Sequence, residues 1–398
     1  MICVGLIKEQ KVPTDNRVAL TPTQCDFIQK KWGVKIVVEA SENRCFSNQE
    51  YTDVGIEVLD SITHCDILMG IKEVPASALI PQKQYVFFSH TRKKQPYNKQ
   101  LLQTILQEKI TLIDYECLEH EDGQRIIGFG FFAGVVGAHN GIWAYGKRTS
   151  EFYLPRVFEC KDYMSLIRHY FGLKLPNIKI AVTGSGRVAH GIIEVMNLMG
   201  VKQVEADVYL KKQFSYPVYV HLKGAELYTH RYLNTYKREH FHANPTEYKS
   251  CFLPYLSCTD ILMNGVYWDK NIPRLFEKSD VNNQFKIQVI ADITDDKNGS
   301  IPINLGDQTI ENPVYGIDKT SHSKTTSFLK DNIDIIAVGN LPNELPRDAS
   351  SYFGEQLIKY VLEDLFANKG SIIKNATIAY NGHLTSRFRY LEEWVNEE

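Results

Sequence analysis

The stretch "NIKIAVTGSGRVAHG", residues 177–191, constrains this chain more than any other. An apolar, β-branched run stops at Gly184-Ser185-Gly186 and gives way at once to a pattern with helical spacing. A strand that turns into a helix within three residues uses glycine for the tight turn and for close approach of the bare backbone. The helix that follows offers unpaired N–H groups and a positive dipole end at its first turn. Gly184, Ser185, Gly186, Arg187 and Val188 are therefore candidates to hold a pyrophosphate, and the segment reads as the start of a dinucleotide-binding α/β unit. Glu205 and Asp207 close the next strand-like stretch, near the spacing of about 20 residues expected for a carboxylate on a ribose hydroxyl. Either would repel a 2′-phosphate, so these residues point to NAD, with NADP as the alternative.

The rest of the chain repeats the alternation of strand and helix. "ICVGLI", "VKIVVEA", "CDILMGIK", "QYVFFS" and "ITLIDYE" read as buried strands before residue 120. Thr21 is a helix N-cap, Pro22 takes the first helical position and Gly33 is the stop. After the glycine turn come "TDILMNGVY", "KIQVIADIT" and "DIIAVGN". At 398 residues the chain exceeds one ordinary core, so two domains are expected. Two long segments, "FFAGVVGAHNGIWAYGKR" and "ASSYFGEQLIKYVLEDLF", read as helices crossing between them; Leu357, Val361 and Leu365 line one face of the second. The expected architecture is α/β: two Rossmann-like domains with parallel sheets, joined by the two crossing helices, with the active site in the interdomain cleft. Residues 1–135 with 345–398 form the substrate domain. Residues 136–344 form the dinucleotide domain, interrupted by an insertion at about 209–257 that is rich in His and Tyr.

Parallel α/β sheets bind ligands beyond the carboxyl ends of their strands. Lys72, His90 and Glu116 each end a strand-like run, and Arg17 stands just before the first helix. Arg17 suits bidentate capture of a carboxylate. Lys72 and His90 together suit general acid–base work, provided the lysine is brought below its ordinary range. Burial and the charge of Lys93 would lower it, and Glu116 would oppose them.

Composition removes other classes. Lys and Arg number 45 against 47 Asp and Glu, which leaves no basic footprint for nucleic acid or an anionic membrane. "MICVGLI" runs straight into Lys8-Glu9 and reads as a first strand rather than a signal peptide. No apolar run is long enough to span a bilayer. Eight scattered cysteines without C-x-x-C read as free thiols in a reducing cytoplasm. His230, His240 and His242 suggest a metal, but no Cys or carboxylate completes a set at ligand spacing, so no metal is expected.

Beyond these features, "DNRVALTP", "GIKEVP", "FFSHTRK", "LIDYE", "GFGFFAG", "TDILMNGVYWDKNIPRLF", "IADITDDKNGSIP" and "GNLPNELPRDASSYFGEQL" span nearly the whole chain. In them the sequence resembles the lysine-forming saccharopine dehydrogenases and lysine–ketoglutarate reductases, within the alanine dehydrogenase and transhydrogenase superfamily. The resemblance implies reversible condensation of lysine with 2-oxoglutarate to an imine, which NAD(P)H reduces to saccharopine. It implies acid/base roles for Lys72 and His90. Lys11 and Arg17 would lie near the substrate carboxylates. Lys93 and Glu116 would tune the pair, Phe131 would touch substrate, and Asp292 and Asp296 would face cofactor or substrate. The given sequence holds one such module, so a single reaction is expected of it. An alanine dehydrogenase or another opine-type dehydrogenase is the nearest competing reading, and a non-catalytic nucleotide sensor the more distant one.

Overall fold

Short apolar runs and the turns between them build both sheets. The computed structural model describes residues 1–367 and 370–397. They divide into one unit of residues 1–129 with 346–397 and another of residues 130–345. The change of unit falls between Phe129 and Gly130, earlier than the expected 135.

Along the first unit run β1 (Cys3–Leu6), β2 (Lys35–Glu39), β3 (Glu57–Leu59), β4 (Ile67–Met69), β5 (Gln84–Phe87) and β6 (Thr111–Asp114). Along the second run β7 (Lys179–Thr183), β8 (Lys202–Gln203), β9 (Val218–Leu222), β10 (Tyr228–His230), β11 (Tyr248–Ser250), β12 (Ile261–Asn264), β13 (Val289–Asp292), β14 (Val314–Ile317), β15 (Lys324–Thr325) and β16 (Ile333–Ile336). The chain then returns to the first unit with β17 (Thr377–Tyr380) and β18 (His383–Leu384).

The first sheet has the order β18-β17-β6-β5-β4-β1-β2-β3. Strands β1 to β6 are parallel to their neighbours, and β17 and β18 add an antiparallel edge. The strand order reverses between β1 and β4, which is where a doubly wound sheet opens a crevice at its carboxyl edge. The helix Pro22–Trp32 follows β1 with Thr21 as N-cap and Gly33 in the left-handed conformation at its end. Thr21 and Gln24 cap each other reciprocally, satisfying two N–H groups that a bare helix start would leave open.

The second sheet has the order β15-β14-β16-β13-β12-β7-β9-β8, and its reversal lies between β7 and β12. The strand beside β7 is β9, not β8, which is a two-residue edge strand. The segment 209–257, expected to be wholly an insertion, therefore supplies an integral strand. The polar, aromatic surroundings of "YPVYVHL" concealed the buried run Val218-Tyr219-Val220. Outside the sheet lie the antiparallel pair β10–β11, the short helix Arg238–Ala243 between its strands, and the flanking turns.

The helix Gly130–Thr149 belongs to the second unit and packs against the helix Arg187–Leu198. A Cβ on Gly134 would stand 2.0 Å from Val188 O, and one on Gly191 would stand 2.0 Å from Phe131 O. The two backbones touch because side chains are missing at both points. The expected second crossing helix is Pro346–Tyr360, in the first unit, followed by a separate helix Leu362–Ala367. No helix among the described residues is long and apolar enough to cross a membrane.

Candidate active site

In the first unit the groups expected to do chemistry stand past the carboxyl ends of four strands: Lys11 and Arg17 after β1, Lys72 after β4, His90 after β5, Glu116 after β6. Lys72 is half-buried. Its amine lies below the ordinary lysine range, first through burial and then through the positive charges of Arg17 and Lys11; Asp15 and Glu73 oppose. Lys93 and Glu116, the expected influences on Lys72, act on each other beside His90.

Arg17 is 4% exposed and grips Asp15 in a fork, Nε to Oδ1 at 2.9 Å and Nη2 to Oδ2 at 2.5 Å. Its guanidinium lies 4.2 Å from the centre of the Phe129 ring. Burial pushes the Asp15 carboxyl up, but Arg17's charge and hydrogen bonds outweigh it and hold it below the usual range. Lys11 pairs with Glu73. Both expected carboxylate-binding cations thus already carry a local counter-charge.

His90 has φ 55° and ψ 15°, a left-handed conformation that costs a non-glycine residue about 1–2 kcal/mol. Its ring stacks on Phe88, 6.1 Å away at 15°. Its Nδ1 stands 3.5 Å from Glu116 Oε2, an ion-pair separation rather than a close hydrogen bond. Glu116 is buried and takes a hydrogen bond from Arg125 Nη2 to Oε1 at 3.0 Å. Burial raises its carboxyl, yet His90, Arg125 and the exposed Lys93 together bring it down to about 2.

Two carboxyls that sequence reasoning missed complete this edge. Glu9 accepts the backbone N–H of Ile71 at 2.6 Å and of Lys72 at 2.9 Å, which fixes the chain at Lys72; burial raises it to about 7. Asp114 is fully buried, accepts from Ser89 Oγ and from Glu116 N, and is raised to about 6 by burial and then by Glu116. Their only sequence signal is an acidic residue at or just past a strand end.

In the second unit, Gly184 has φ +104°, and a Cβ there would meet Gly265 O at 2.5 Å. Gly184 O accepts from His221 Nε2 at 2.7 Å. Ser185 and Gly186 are exposed, and a Cβ on Gly186 would meet nothing within 4 Å. That bare space lies at the first turn of the twelve-residue helix that begins with Arg187 and Val188, the setting in which backbone N–H groups hold phosphate.

Three placements differ from expectation. Glu205 directly precedes the short helix Ala206–Lys211 without a capping hydrogen bond, and Asp207 lies within it, 70% exposed and 4.0 Å from Lys211. Both follow the edge strand β8, with β9 standing between it and β7. The residues past the strand beside β7 are Lys223 and Glu226, both exposed. Asp292 is 1% exposed and its oxygens are filled by Asn264 Nδ2 at 2.8 Å, Thr294 Oγ1 at 2.9 Å and Asn304 Nδ2 at 2.7 Å. It braces the ends of β12 and β13 instead of facing a ligand, and burial raises it to about 6. Phe131 lies in the second unit, at the start of the helix Gly130–Thr149. Asp296 is half-exposed in the loop after β13; its neighbour Asp295 was missed and is raised to about 7 by burial and then by Asp292 and Asp296.

His230, His240 and Glu247 come together, so a carboxylate does complete the histidine group. His230 Nδ1 accepts from the backbone N of Tyr232 and of Leu233, both at 3.2 Å. The ring proton is then on Nε2, donated to Glu247 at 3.0 Å, which removes that nitrogen as a ligand.

Residues 5–136 match the family model for the alanine dehydrogenase/PNT N-terminal domain. The whole chain has the fold of a solved L-alanine dehydrogenase, with a TM-score of 0.66 at 15% identity, covering 99% of this chain and 100% of that one. A transhydrogenase from Sinorhizobium meliloti gives a TM-score of 0.57 at 13% identity, covering 96% and 100%. The family match thus lies within the first unit and its junction with the second, and the likeness to the two solved structures is one of fold. The chain is 29% identical to the mitochondrial alpha-aminoadipic semialdehyde synthase of Rattus norvegicus, over 98% of this chain and 47% of that protein. It is 26% identical to the saccharopine dehydrogenase [NAD(+), L-lysine-forming] of Candida glabrata, over 88% of this chain and 89% of that one. The chain spans about half the length of the synthases it matches.

Proposed function

We propose that this chain is a nicotinamide-dependent oxidoreductase that interconverts saccharopine with L-lysine and 2-oxoglutarate. The observation that carries the reading is the set of ionisable groups past β1, β4, β5 and β6, on both sides of the strand reversal of the first sheet. The likeness to named saccharopine dehydrogenases supports it. The first unit would take the amino and keto acids, and the second the cofactor.

Imine formation needs the amine deprotonated, the carbinolamine oxygen protonated and water released. Lys72, with its amine already lowered, would accept the proton of the incoming amine. His90 would pass protons to and from the leaving water, because imidazole exchanges near neutral pH. Glu116 would hold the imidazole in place. Arg17 and Lys11 would meet substrate carboxylates by sharing themselves with Asp15 and Glu73. Backbone N–H groups of the glycine turn at Gly184–Val188 would hold the cofactor, which would supply the hydride when bound.

The choice of cofactor follows from strand order. With β8 at the sheet edge, Glu205 and Asp207 lose the position from which they would repel a 2′-phosphate. Lys223 directly follows the strand next to β7 and acts electrostatically on His221, with Glu226 opposing it. The exposed Lys223 amine would favour NADPH over NADH.

The test is an assay of the protein with NADPH or NADH, 2-oxoglutarate or pyruvate, and a panel of amines including lysine and ammonia. Oxidation of NADPH with lysine and 2-oxoglutarate is expected. Ammonia with pyruvate outperforming lysine with 2-oxoglutarate would replace this reading with an alanine dehydrogenase. Dinucleotide binding without turnover on any pair would leave the nucleotide sensor.

A further inference from the structure

Away from the carboxyl edge, two thiols meet at the amino ends of β1 and β4. Cys3 opens β1, and Cys65 lies just before β4. These strands are parallel neighbours, with Val4 beside Ile67. The backbone on either side is pinned: Asp66 N donates to Cys3 O at 2.9 Å, and Cys3 N donates to Asp66 Oδ2 at 2.8 Å. Cys3 Sγ and Cys65 Sγ stand 3.1 Å apart. His64 is exposed, and its Nε2 is 3.8 Å from Cys65 Sγ. Cys3 is 9% exposed and Cys65 is fully covered, so reagents would reach them as the start of β1 opens locally.

We propose that Cys3 and Cys65 form a reversible intrachain disulfide by exchange with a small disulfide of the glutathione type. Two sulfurs and an imidazole are also a soft-metal ligand set, but geometry decides between the two. Thiolates sharing a tetrahedral zinc ion at about 2.3 Å sit roughly 3.8 Å apart. These sulfurs are already closer than that, and a bond of about 2.05 Å needs about 1 Å of further closure. In the exchange, Cys65 gives its proton to His64 and attacks one sulfur of the small disulfide. That S–S bond breaks and one small thiolate leaves, so Cys65 carries a mixed disulfide. Cys3, losing its own proton, attacks the Cys65 sulfur and expels the second small thiolate. The two released thiolates take up the two protons. The protein pair is oxidised by two electrons and the small disulfide is reduced to two thiols. The bond would tie together the two strands whose far ends carry Arg17 and Lys72.

The test equilibrates the full chain with equal reduced and oxidised glutathione, blocks the remaining thiols with an alkylating agent, and reads intact mass and peptide maps. The expected product has lost about 2 Da, leaves two cysteines unalkylated, and yields a Cys3–Cys65 cross-linked peptide that excess thiol dissolves. Cys3→Ser and Cys65→Ser should each lack the cross-link and retain a glutathione adduct on the remaining partner. His64→Gln should reach the same end point roughly threefold or more slowly. A parent chain that keeps both thiols, stops at a stable glutathione adduct, or links either cysteine elsewhere overturns the proposal. An unchanged rate in His64→Gln overturns the proton transfer to His64. None of these readouts involves turnover, so they stand apart from the functional reading.

Discussion

In the first unit the positions past β1, β4, β5 and β6 carry Arg17, Lys72, His90 and Glu116; in the second, the positions past or at the ends of β7, β12 and β13 carry Gly184, Asn264 and a filled Asp292. Both sheets reverse strand order between two parallel strands, so topology opens a similar crevice in each. The difference lies in what the crevice edge can do. Charges held in pairs, with several carboxyls and one amine moved from their ordinary values, can trade protons. A bare glycine turn can hold a polyphosphate, and the raised carboxyls of that unit are Asp292, its oxygens filled by hydrogen bonds, and Asp295 in the loop after β13.

The sharpest way to break this contrast begins with Arg17. Replacing it by Ala leaves Asp15 buried without its fork, so a loss of about 3–5 kcal/mol is expected in chemical denaturation. Arg125→Ala removes a partner of Glu116 whose side chain is 39% exposed, and screening there limits the loss to about 0–1 kcal/mol. Equal losses would show that the first unit does not depend on its buried pair.

The glycine turn separates fold from binding. Gly186→Val points into open space at φ −93°, so its melting temperature should match the parent while dinucleotide affinity falls roughly tenfold or more. Gly184→Val collides with Gly265 and should lower the melting temperature as well. Unchanged affinity in Gly186→Val would remove the turn as the phosphate seat. Lys223→Glu should lower the ratio of NADPH to NADH turnover by roughly tenfold, whereas Asp207→Ala should leave it unmoved; the reverse pattern would restore the carboxylate on the edge helix to the ribose.

The smallest effect concerns pH. Glu9 is raised from an ordinary 4.5 to about 7. The stability it contributes is fully present below 4.5 and is lost as the pH rises through about 7. Glu9→Gln cannot ionise, so its unfolding free energy should vary less than the parent's between about pH 5 and pH 8. Parallel curves would mean that the carboxyl titrates alike in folded and unfolded chains.

The sequence made the local parts of both regions legible. The strand, glycine turn and helix at residues 179–198 are contiguous, and each residue's role follows from its neighbours. Lys72, His90 and Glu116 were legible as strand ends for the same reason. Partners were not. Lys72 answers first to burial and then to charges led by Arg17, brought near by the β1–β4 pairing. Asp207 sat at a persuasive spacing from Gly184, but spacing along the chain cannot report that β9 would pair between β7 and β8. Asp292 looked like a ligand-facing acid because nothing in "IADITDD" announces Asn264 and Asn304.

The division of labour between the two crevices is tested most directly by measuring kcat and cofactor affinity together in Lys72→Met and His90→Gln. Neither residue belongs to the glycine turn, so the dissociation constant for NADPH should stay within about twofold of the parent's. Each kcat should fall by roughly ten- to ten-thousand-fold, the span of general acid–base catalysis, and the double variant should lose less than the product of the single losses. Near-parental kcat in both single variants from about pH 6 to pH 10 would contradict the account, leaving Lys72 and His90 as two ordinary strand ends.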